Sequence, residues 1–210
     1  MPFTTGILIG IGETVEESIG TLVVIREAHE RYGHIHECIV QNFRAKPGTR
    51  MALWPGPSEE AMLATIALTR LILPPDMTVR APPNLAEDEP GETPSYVRYI
   101  DSGINDWGGV SPVTPDHVNP ERPWTHLEAL EKTTESKGYL LLERLALHPA
   151  YAREAETWVE EKLRSHVWAG MDAEGFARVE SWAPGTTEEL SQSRKGPTFA
   201  EALKCTRSAG

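Results

Sequence analysis

The stretch GILIGIGETVEES, residues 6–18, passes directly from an apolar run into a helical pattern. Its apolar part predicts a β-strand over residues 3–11 that ends in a glycine-rich turn. Thr14 and Glu17 have the spacing of a capping box, so a helix is expected over residues 15–32. A strand that leads straight into a helix is typical of a βαβ unit.

The same alternation continues along the chain. Further strands are expected at about residues 36–43, 77–82, 104–107 and 139–146. Helices are expected at about residues 58–73, 94–102, 124–137 and 150–168. This order predicts an α/β fold with a parallel sheet, either open or barrel-like, within residues 1–168. Residues 169–210 are rich in Gly, Pro, Ser and Thr and are expected to be a linker or tail.

Composition narrows the possible partners. The net charge of −11 argues against nucleic acid, because an acidic protein repels phosphates. The longest apolar run is far shorter than the ~20 residues that span a bilayer, and no basic signal-peptide region is present. The chain is therefore expected to be cytoplasmic, without a membrane partner. Cys38 and Cys205 are too few and too far apart for a zinc or iron–sulfur motif, and Cys38 is expected to be a buried thiol.

Polar groups collect where the predicted strands end. In parallel α/β folds the carboxyl ends of the strands meet at one edge, where ligands bind. These ends hold glycines, amides, charged groups and one indole, namely Gly10, Gly12, Glu13, Gln41, Asn42, Arg44, Asn84, Asn105, Asp106 and Trp107. Such groups can hydrogen-bond a polar, planar or ribosylated ligand.

Each of these features also has a structural interpretation. The glycines can form a tight turn, and Glu13 can be a first-turn acid favoured by the helix dipole. The asparagines can cap loops, and Trp107 can belong to the core. GILIGIGE lacks the full GxGxxG spacing, so its likeness to a dinucleotide fingerprint is weak. Composition and spacing thus predict part of an α/β barrel with an amide-rich mouth and leave its ligand open.

Asp116 and His117 raise the question of a metal site in a Pro-rich loop. A lone Asp-His pair is more often a hydrogen-bonded loop anchor than a ligand set, since hydrolase metal sites need further histidines. His34 and His36 have a His-x-His spacing, but they begin a predicted strand rather than end one. The sequence has no GxSxG motif, so nucleophilic catalysis is not indicated.

Four stretches together resemble one family. They are TTGILIGIGET (4–14), IVQNFRAKPGTRM (39–51), VRAPPNL (79–85) and GINDWGGVSPVTPDHVNPE (103–121). In this order they resemble the later part of the radical S-adenosylmethionine domain of FO synthase, over about residues 2–150. The resemblance implies the C-terminal part of a TIM-like (β/α) barrel, with the first strands absent from this sequence.

The resemblance also implies roles for the strand-end residues. GILIGIGE is similar to a motif that contacts the adenine part of S-adenosylmethionine, which assigns Gly6, Gly10, Gly12 and Glu13 to cofactor binding. The remaining residues would line the cavity for cofactor and substrate, namely Gln41, Asn42, Arg44, Asn84, Asn105, Asp106, Trp107, Asp116 and His117. The resemblance assigns no individual residue to catalysis.

The implied enzyme makes an 8-hydroxy-5-deazaflavin chromophore from a tyrosine-derived adduct of 5-amino-6-ribitylaminouracil, by ring closure with loss of ammonia. The family holds a 4Fe-4S cluster with three cysteines in a CxxxCxxC loop, and this sequence has no such loop. We therefore expect a fragment that is inactive unless a complementary N-terminal barrel half supplies the thiolates. Alternatives are a menaquinone-pathway relative, the partner half of FO synthase, or a non-catalytic ligand-binding remnant.

Overall fold

A computed structural model describes residues 2–86, 94–111 and 113–178. Its sheet has three parallel strands in the order β1–β2–β3, namely β1 Phe3–Ile9, β2 Ile35–Asn42 and β3 Thr78–Arg80. The β1–β2 register runs from Phe3 opposite Ile35 to Ile9 opposite Asn42. The structure therefore confirms a parallel α/β arrangement, with fewer strands than the sequence predicts.

Helix α1, Val15–Tyr32, follows β1 and begins and ends as predicted. Thr14 Oγ1 accepts a hydrogen bond from Glu17 N at 3.2 Å, and Glu17 Oε2 accepts one from Thr14 N at 2.8 Å. Gly33 ends the helix with φ +64°, a conformation that favours glycine. A capping residue of this kind contributes ~1 kcal/mol to helix stability.

Helix α2, Glu59–Ile72, connects β2 to β3 and is capped by Ser58 Oγ, which accepts from Ala61 N at 3.2 Å. The buried side of the sheet packs against α1 and α2, and its side chains Cys38, Val40 and Val79 are 0% exposed. Cys38 is thus the buried thiol that the sequence predicts. Its burial raises the pKa of the thiol to about 12.

The described residues after β3 are mostly helical or irregular. They contain a 3₁₀ turn, Pro83–Leu85, and the helices α3 Val97–Ser102, α4 Leu127–Ser136, α5 Pro149–Arg153, α6 Ala155–Trp158 and α7 Glu161–Gly170. Among the residues that the structure describes, no helix combines the length and apolar character needed to cross a membrane.

Two predicted strands do not form. At residues 104–107 there is one parallel bridge, between Arg80 and Asp106, because the side chain of Asn105 accepts the Val79 N–H at 2.9 Å. An amide side chain thereby takes the place of a backbone carbonyl in the ladder. Residues 139–146 are irregular, and their apolar side chains line a cleft rather than join the sheet.

The predicted helix over residues 150–168 is three short helices. Val159 is extended, with ψ 135°, and separates α6 from α7. Arg164 holds this break, because its guanidinium donates to Val159 O at 2.9 Å and to Glu156 O at 2.7 Å. The predicted tail begins within α7, and residues 179–210, including Cys205, lie outside the described residues. The tail therefore stays a prediction.

Strand β1 leaves one edge and one side open within the described ranges. It pairs only with β2 there. Thr4, Gly6 and Leu8 alternate along β1 and are exposed, whereas Ile9 on the other side is 2% exposed. The sheet is therefore covered by helices on one side and is open along β1 on the other, which is consistent with part of an α/β domain.

Candidate functional site

The turn after β1 is held together by the carboxylate of Glu13. Its Oε1 accepts from Gly10 N at 2.6 Å and its Oε2 accepts from Ile11 N at 2.8 Å. Burial raises the pKa of this carboxyl, but hydrogen bonds from the backbone of residues 10–13 outweigh burial and hold the pKa below its usual value. Glu13 therefore fixes the turn itself. It precedes the N-cap Thr14, so it is not the first-turn acid of the structural interpretation; Glu16 and Glu17 occupy that turn.

Two glycines on β1 and its turn are required by close packing. A Cβ on Gly6 would clash with the carbonyl oxygen of Ile39 on β2, and a Cβ on Gly10 would clash with Pro57. Gly10 also has φ +87°. The Trp54 indole donates to Gly10 O at 2.9 Å, so the 44–57 loop lies over this turn.

Gly12 is the glycine of this turn whose backbone is accessible to solvent. It is exposed, has φ +110°, and lies beside the ring of Trp54. Trp54 itself is 45% exposed. An exposed indole next to an accessible glycine backbone is an arrangement that could hold a flat ring.

The end of β2 is tied to the 3₁₀ turn that follows β3. Asn42 Nδ2 donates to Leu85 O at 2.7 Å, and Arg44 Nε donates to the same oxygen at 3.1 Å. Asn42 is 6% exposed, so the amide is part of the interior. Gln41 points to the open side, and its side chain forms no hydrogen bond within the described ranges.

Asn84 and Asp116 form a second buried polar pair. Asn84 Nδ2 donates to Asp116 Oδ2 at 3.0 Å, and Asp116 Oδ1 accepts from the backbone of Val118 and Asn119 at 2.9 and 3.0 Å. Burial raises the pKa of the Asp116 carboxyl, but these hydrogen bonds outweigh it and lower the pKa. Asp116 is therefore a loop anchor, while its neighbour His117 is exposed.

Asn42 and Asn84 each carry a buried amide oxygen. Asn42 Oδ1 and Asn84 Oδ1 meet no hydrogen-bond partner among the residues that the structure describes. A buried acceptor without a donor costs ~1–3 kcal/mol, so each oxygen needs a water or a ligand N–H.

The third group of predicted residues lines a cleft of about 1000 Å³. Asn105, Asp106 and Trp107 lie on one wall, and the irregular 139–146 segment passes along another. Asn105 Oδ1 accepts from Arg70 Nη2 at 2.9 Å as well as from β3. The Trp107 indole is 8% exposed and donates to Thr134 Oγ1 at 3.0 Å, so most of this ring belongs to the core.

A charge network that the sequence analysis missed forms the floor of the cleft. Glu37 is 3% exposed and accepts from Arg80 Nη1 at 3.0 Å, from Arg144 Nη2 at 2.9 Å and from Thr4 Oγ1 at 2.8 Å. Arg144 Nε also donates to Asp106 Oδ2 at 3.0 Å. One signal was present in the sequence: Glu37 is the only acid inside the apolar run of β2.

Most of the predicted site residues thus fall into three places. Gly10, Gly12 and Glu13 form the β1 turn, Asn42, Arg44, Asn84 and Asp116 form the loop cluster, and Asn105, Asp106 and Trp107 line the cleft. Gly6 lies within β1, Gln41 on the open side, and His117 on the surface. The contacts of all these residues with a ligand stay predictions.

An iron–sulfur cluster does not fit the described part of the chain. Such a cluster requires several thiolates that converge on it. Cys38 is fully buried with a raised pKa, so it remains a thiol. Within residues 2–86, 94–111 and 113–178, no three His, Cys, Asp or Glu side chains form a group that could hold a metal ion.

Comparison with known proteins shows that this chain is similar to proteins from actinobacteria and from Methanopyrus kandleri. The chain is 47% identical to the FO synthase of Nocardia farcinica over 186 residues, 88% of this chain and 21% of that protein. It is 48% identical to the FO synthase of Mycobacterium tuberculosis over 179 residues, 85% and 20% of the two chains. It is 51% identical to the 7,8-didemethyl-8-hydroxy-5-deazariboflavin synthase of Methanopyrus kandleri over 178 residues, 85% and 51% of the two chains.

No protein-family model matches the chain, and no solved structure does either. The matched region spans about a fifth of the actinobacterial FO synthases and about half of the Methanopyrus protein. We conclude that this chain is homologous to one segment of FO synthase.

Proposed function

We propose that this chain contributes a substrate-binding portion of a deazaflavin-forming FO synthase. The observation that supports this most directly is the cleft of about 1000 Å³ in a chain 47–51% identical to FO synthases. The proposed substrate is a tyrosine-derived adduct of 5-amino-6-ribitylaminouracil, which closes a ring with loss of ammonia. A cavity of this volume is large enough for a ligand of that size.

The lining of the cleft suits a ligand with flat rings and a hydroxylated chain. Its apolar wall includes Ile104, Trp107 and Leu141. Its polar floor presents carboxylates and guanidinium groups that cancel in charge, Glu37 and Asp106 with Arg80 and Arg144. Neutral floors of this kind favour hydroxyl groups and amides over strongly charged ligands.

The β1 turn is the proposed contact for the nucleoside part of S-adenosylmethionine. Gly12 offers exposed backbone, and the half-exposed ring of Trp54 offers a surface on which a purine can stack. Glu13 holds the turn in shape through Gly10 and Ile11 and acts as a positioning residue. When bound with its cluster, this cofactor would supply the hydrogen-abstracting radical.

The thiolates for that cluster must come from another polypeptide segment, because the described residues do not fit it. We place this segment, a complementary N-terminal barrel half, along the open edge of β1. Within the described ranges, backbone groups along that edge have no strand partner, and the open side of β1 beside it carries the exposed side chain of Leu8. The chain alone is therefore proposed to be inactive.

Co-expression tests this function. The chain is produced with the part of the Methanopyrus relative that it does not match, and deazaflavin fluorescence is measured. We expect product from the pair and none from the chain alone, with Asp106→Asn reducing product at least tenfold. Asp101→Asn is the matched control, because Asp101 is exposed and its partner among the described residues is Lys137 on the surface. A pair that assembles without forming product would overturn the proposal.

A non-catalytic ligand-binding module is the second candidate. It is favoured by one observation: the described residues form the cleft, but they do not fit an iron–sulfur cluster. Calorimetry with 5-amino-6-ribitylaminouracil separates the two functions. Binding by the chain, together with no product in the co-expressed pair, would favour the module.

A further inference from the structure

Two histidines connect the sheet to helix α5, which follows the 139–146 segment. His36 on β2 and His148, the residue before α5, have ring centroids 5.2 Å apart. Tyr151 on α5 packs against both rings, with centroids at 5.2 and 6.0 Å. His148 Nε2 lies 3.2 Å from Thr78 Oγ1 on β3. We call these four residues the histidine contact.

The histidine contact is the polar part of the junction between α5 and the sheet. His148 also caps α5, since its Nδ1 accepts from Ala150 N at 3.4 Å. The accepting role requires that this nitrogen be unprotonated. A proton on His148 would therefore remove the cap as well as add a charge.

Two arginines near the rings oppose protonation, whereas two carboxylates, each paired with arginine, favour it. Arg144 on the 139–146 segment opposes protonation of both rings, and Arg80 on β3 opposes that of His36. His36 in turn opposes protonation of His148. Glu37 Oε1 lies 3.6 Å from His36 Nε2, but Glu37 already accepts from both arginines. Asp106 is likewise paired with Arg144, and Glu154 acts on Tyr151.

His36 has a further reason to remain neutral. Its Nδ1 is buried and meets no partner among the described residues. A protonated imidazole has two N–H donors, so this nitrogen would become a buried donor without an acceptor. Burial and the missing acceptor therefore favour the neutral form of His36 in the folded chain.

The pKa shifts agree in direction. Burial lowers the pKa of His36, Glu37 partly restores it, and Arg144 and Arg80 lower it further. Burial also lowers the pKa of His148, His36 and Arg144 add to this effect, and Glu37 and Asp106 partly offset it. Because the folded pKa lies below the unfolded value of ~6.5, the contact is at full strength above that pH and weakens as pH falls toward the folded pKa.

We propose that the histidine contact is pH-sensitive: it holds α5 on the sheet when the His36 and His148 rings are neutral, and it releases α5 on acidification. Arg144 lies only four residues before His148, so release of α5 also loosens the segment that covers the floor of the cleft. The pH dependence of the histidine contact does not depend on which ligand the cleft binds.

Hydrogen–deuterium exchange between pH 7.5 and 5 tests the proposal on the full chain, after correction for the intrinsic pH dependence of exchange. Below pH ~6.5 the equilibrium constant for local opening of residues 149–158 should rise by up to about tenfold per pH unit for each histidine. The His36→Gln/His148→Asn double variant should lose this dependence, because asparagine keeps a capping acceptor and cannot titrate. His166→Gln is the control, since His166 is exposed on α7.

Peptides from α1 report whether each variant is folded. If the double variant loses protection there, His148→Asn alone is used. This single variant should halve the slope of the logarithm of the opening equilibrium constant against pH. A wild-type chain without acid-dependent opening would overturn the proposal. The same conclusion follows if the histidine variants keep the wild-type slope, or if His166→Gln abolishes it.

Discussion

Replacing Glu37 with alanine removes the carboxylate on which the floor of the cleft depends. Glu37 is 3% exposed and accepts hydrogen bonds from Thr4, Arg80 and Arg144. The alanine variant leaves both guanidinium groups without their shared partner. Because Arg144 also binds Asp106, the loss extends from β2 to the 139–146 segment.

The expected cost follows from burial. Breaking one partner of a fully buried ion pair costs ~3–5 kcal/mol, because the other charge stays uncompensated. The two arginine side chains are 21% and 20% exposed, so water screens part of the loss. We therefore expect Glu37→Ala to lower the free energy of unfolding by ~2–4 kcal/mol.

Pulse proteolysis in urea measures this change at low protein concentration. With an m-value of ~2 kcal/mol per M urea, the midpoint should fall by ~1–2 M. Glu30→Ala is the matched control, because Glu30 is 60% exposed and pairs with Arg26 at 3.7 Å on the surface of α1. The control should change stability by less than ~0.5 kcal/mol. A Glu37→Ala midpoint equal to that of Glu30→Ala would refute the reasoning.

Three further predictions concern β1 and its turn. Gly10→Ala should lower the free energy of unfolding by ~1–3 kcal/mol in urea titrations because of its positive φ and the clash with Pro57, whereas Gly20→Ala in α1 should raise it by ~0.5–1 kcal/mol. Glu13→Gln should remove stability that is present above pH ~4.3 and is lost as pH falls through the depressed folded pKa, so the variant should show a flatter acid-unfolding curve. The isolated chain should associate through the open β1 edge, and Leu8→Lys should shift its sedimentation toward monomer; unchanged association would contradict that role for the edge.

Local signals explain which parts of the fold the sequence predicts. The capping box at Thr14, the αL glycine at Gly33 and the Ser58 cap depend on neighbours within a few residues. Helices α1 and α2 therefore lie where the pattern places them. The parallel β1–β2 pairing follows from the helix that connects the two strands.

Side chains from distant parts of the chain explain the rest. Arg80 and Arg144 reach Glu37 from 43 and 107 residues away, and no local pattern predicts such contacts. Asn105 uses its side chain where a strand would use its backbone, so an apparent fourth strand is reduced to one bridge. Asp116 anchors its own loop, which the Asp-His motif allowed but did not determine.

Anaerobic reconstitution with iron and sulfide tests the central claim most directly, namely that this homologue of an FO synthase segment depends on thiolates from elsewhere. Visible absorbance and iron per chain are measured for the chain alone and for the co-expressed pair. We predict no cluster on the isolated chain, and a cluster together with deazaflavin fluorescence in the pair. A stoichiometric cluster on the isolated chain would contradict it.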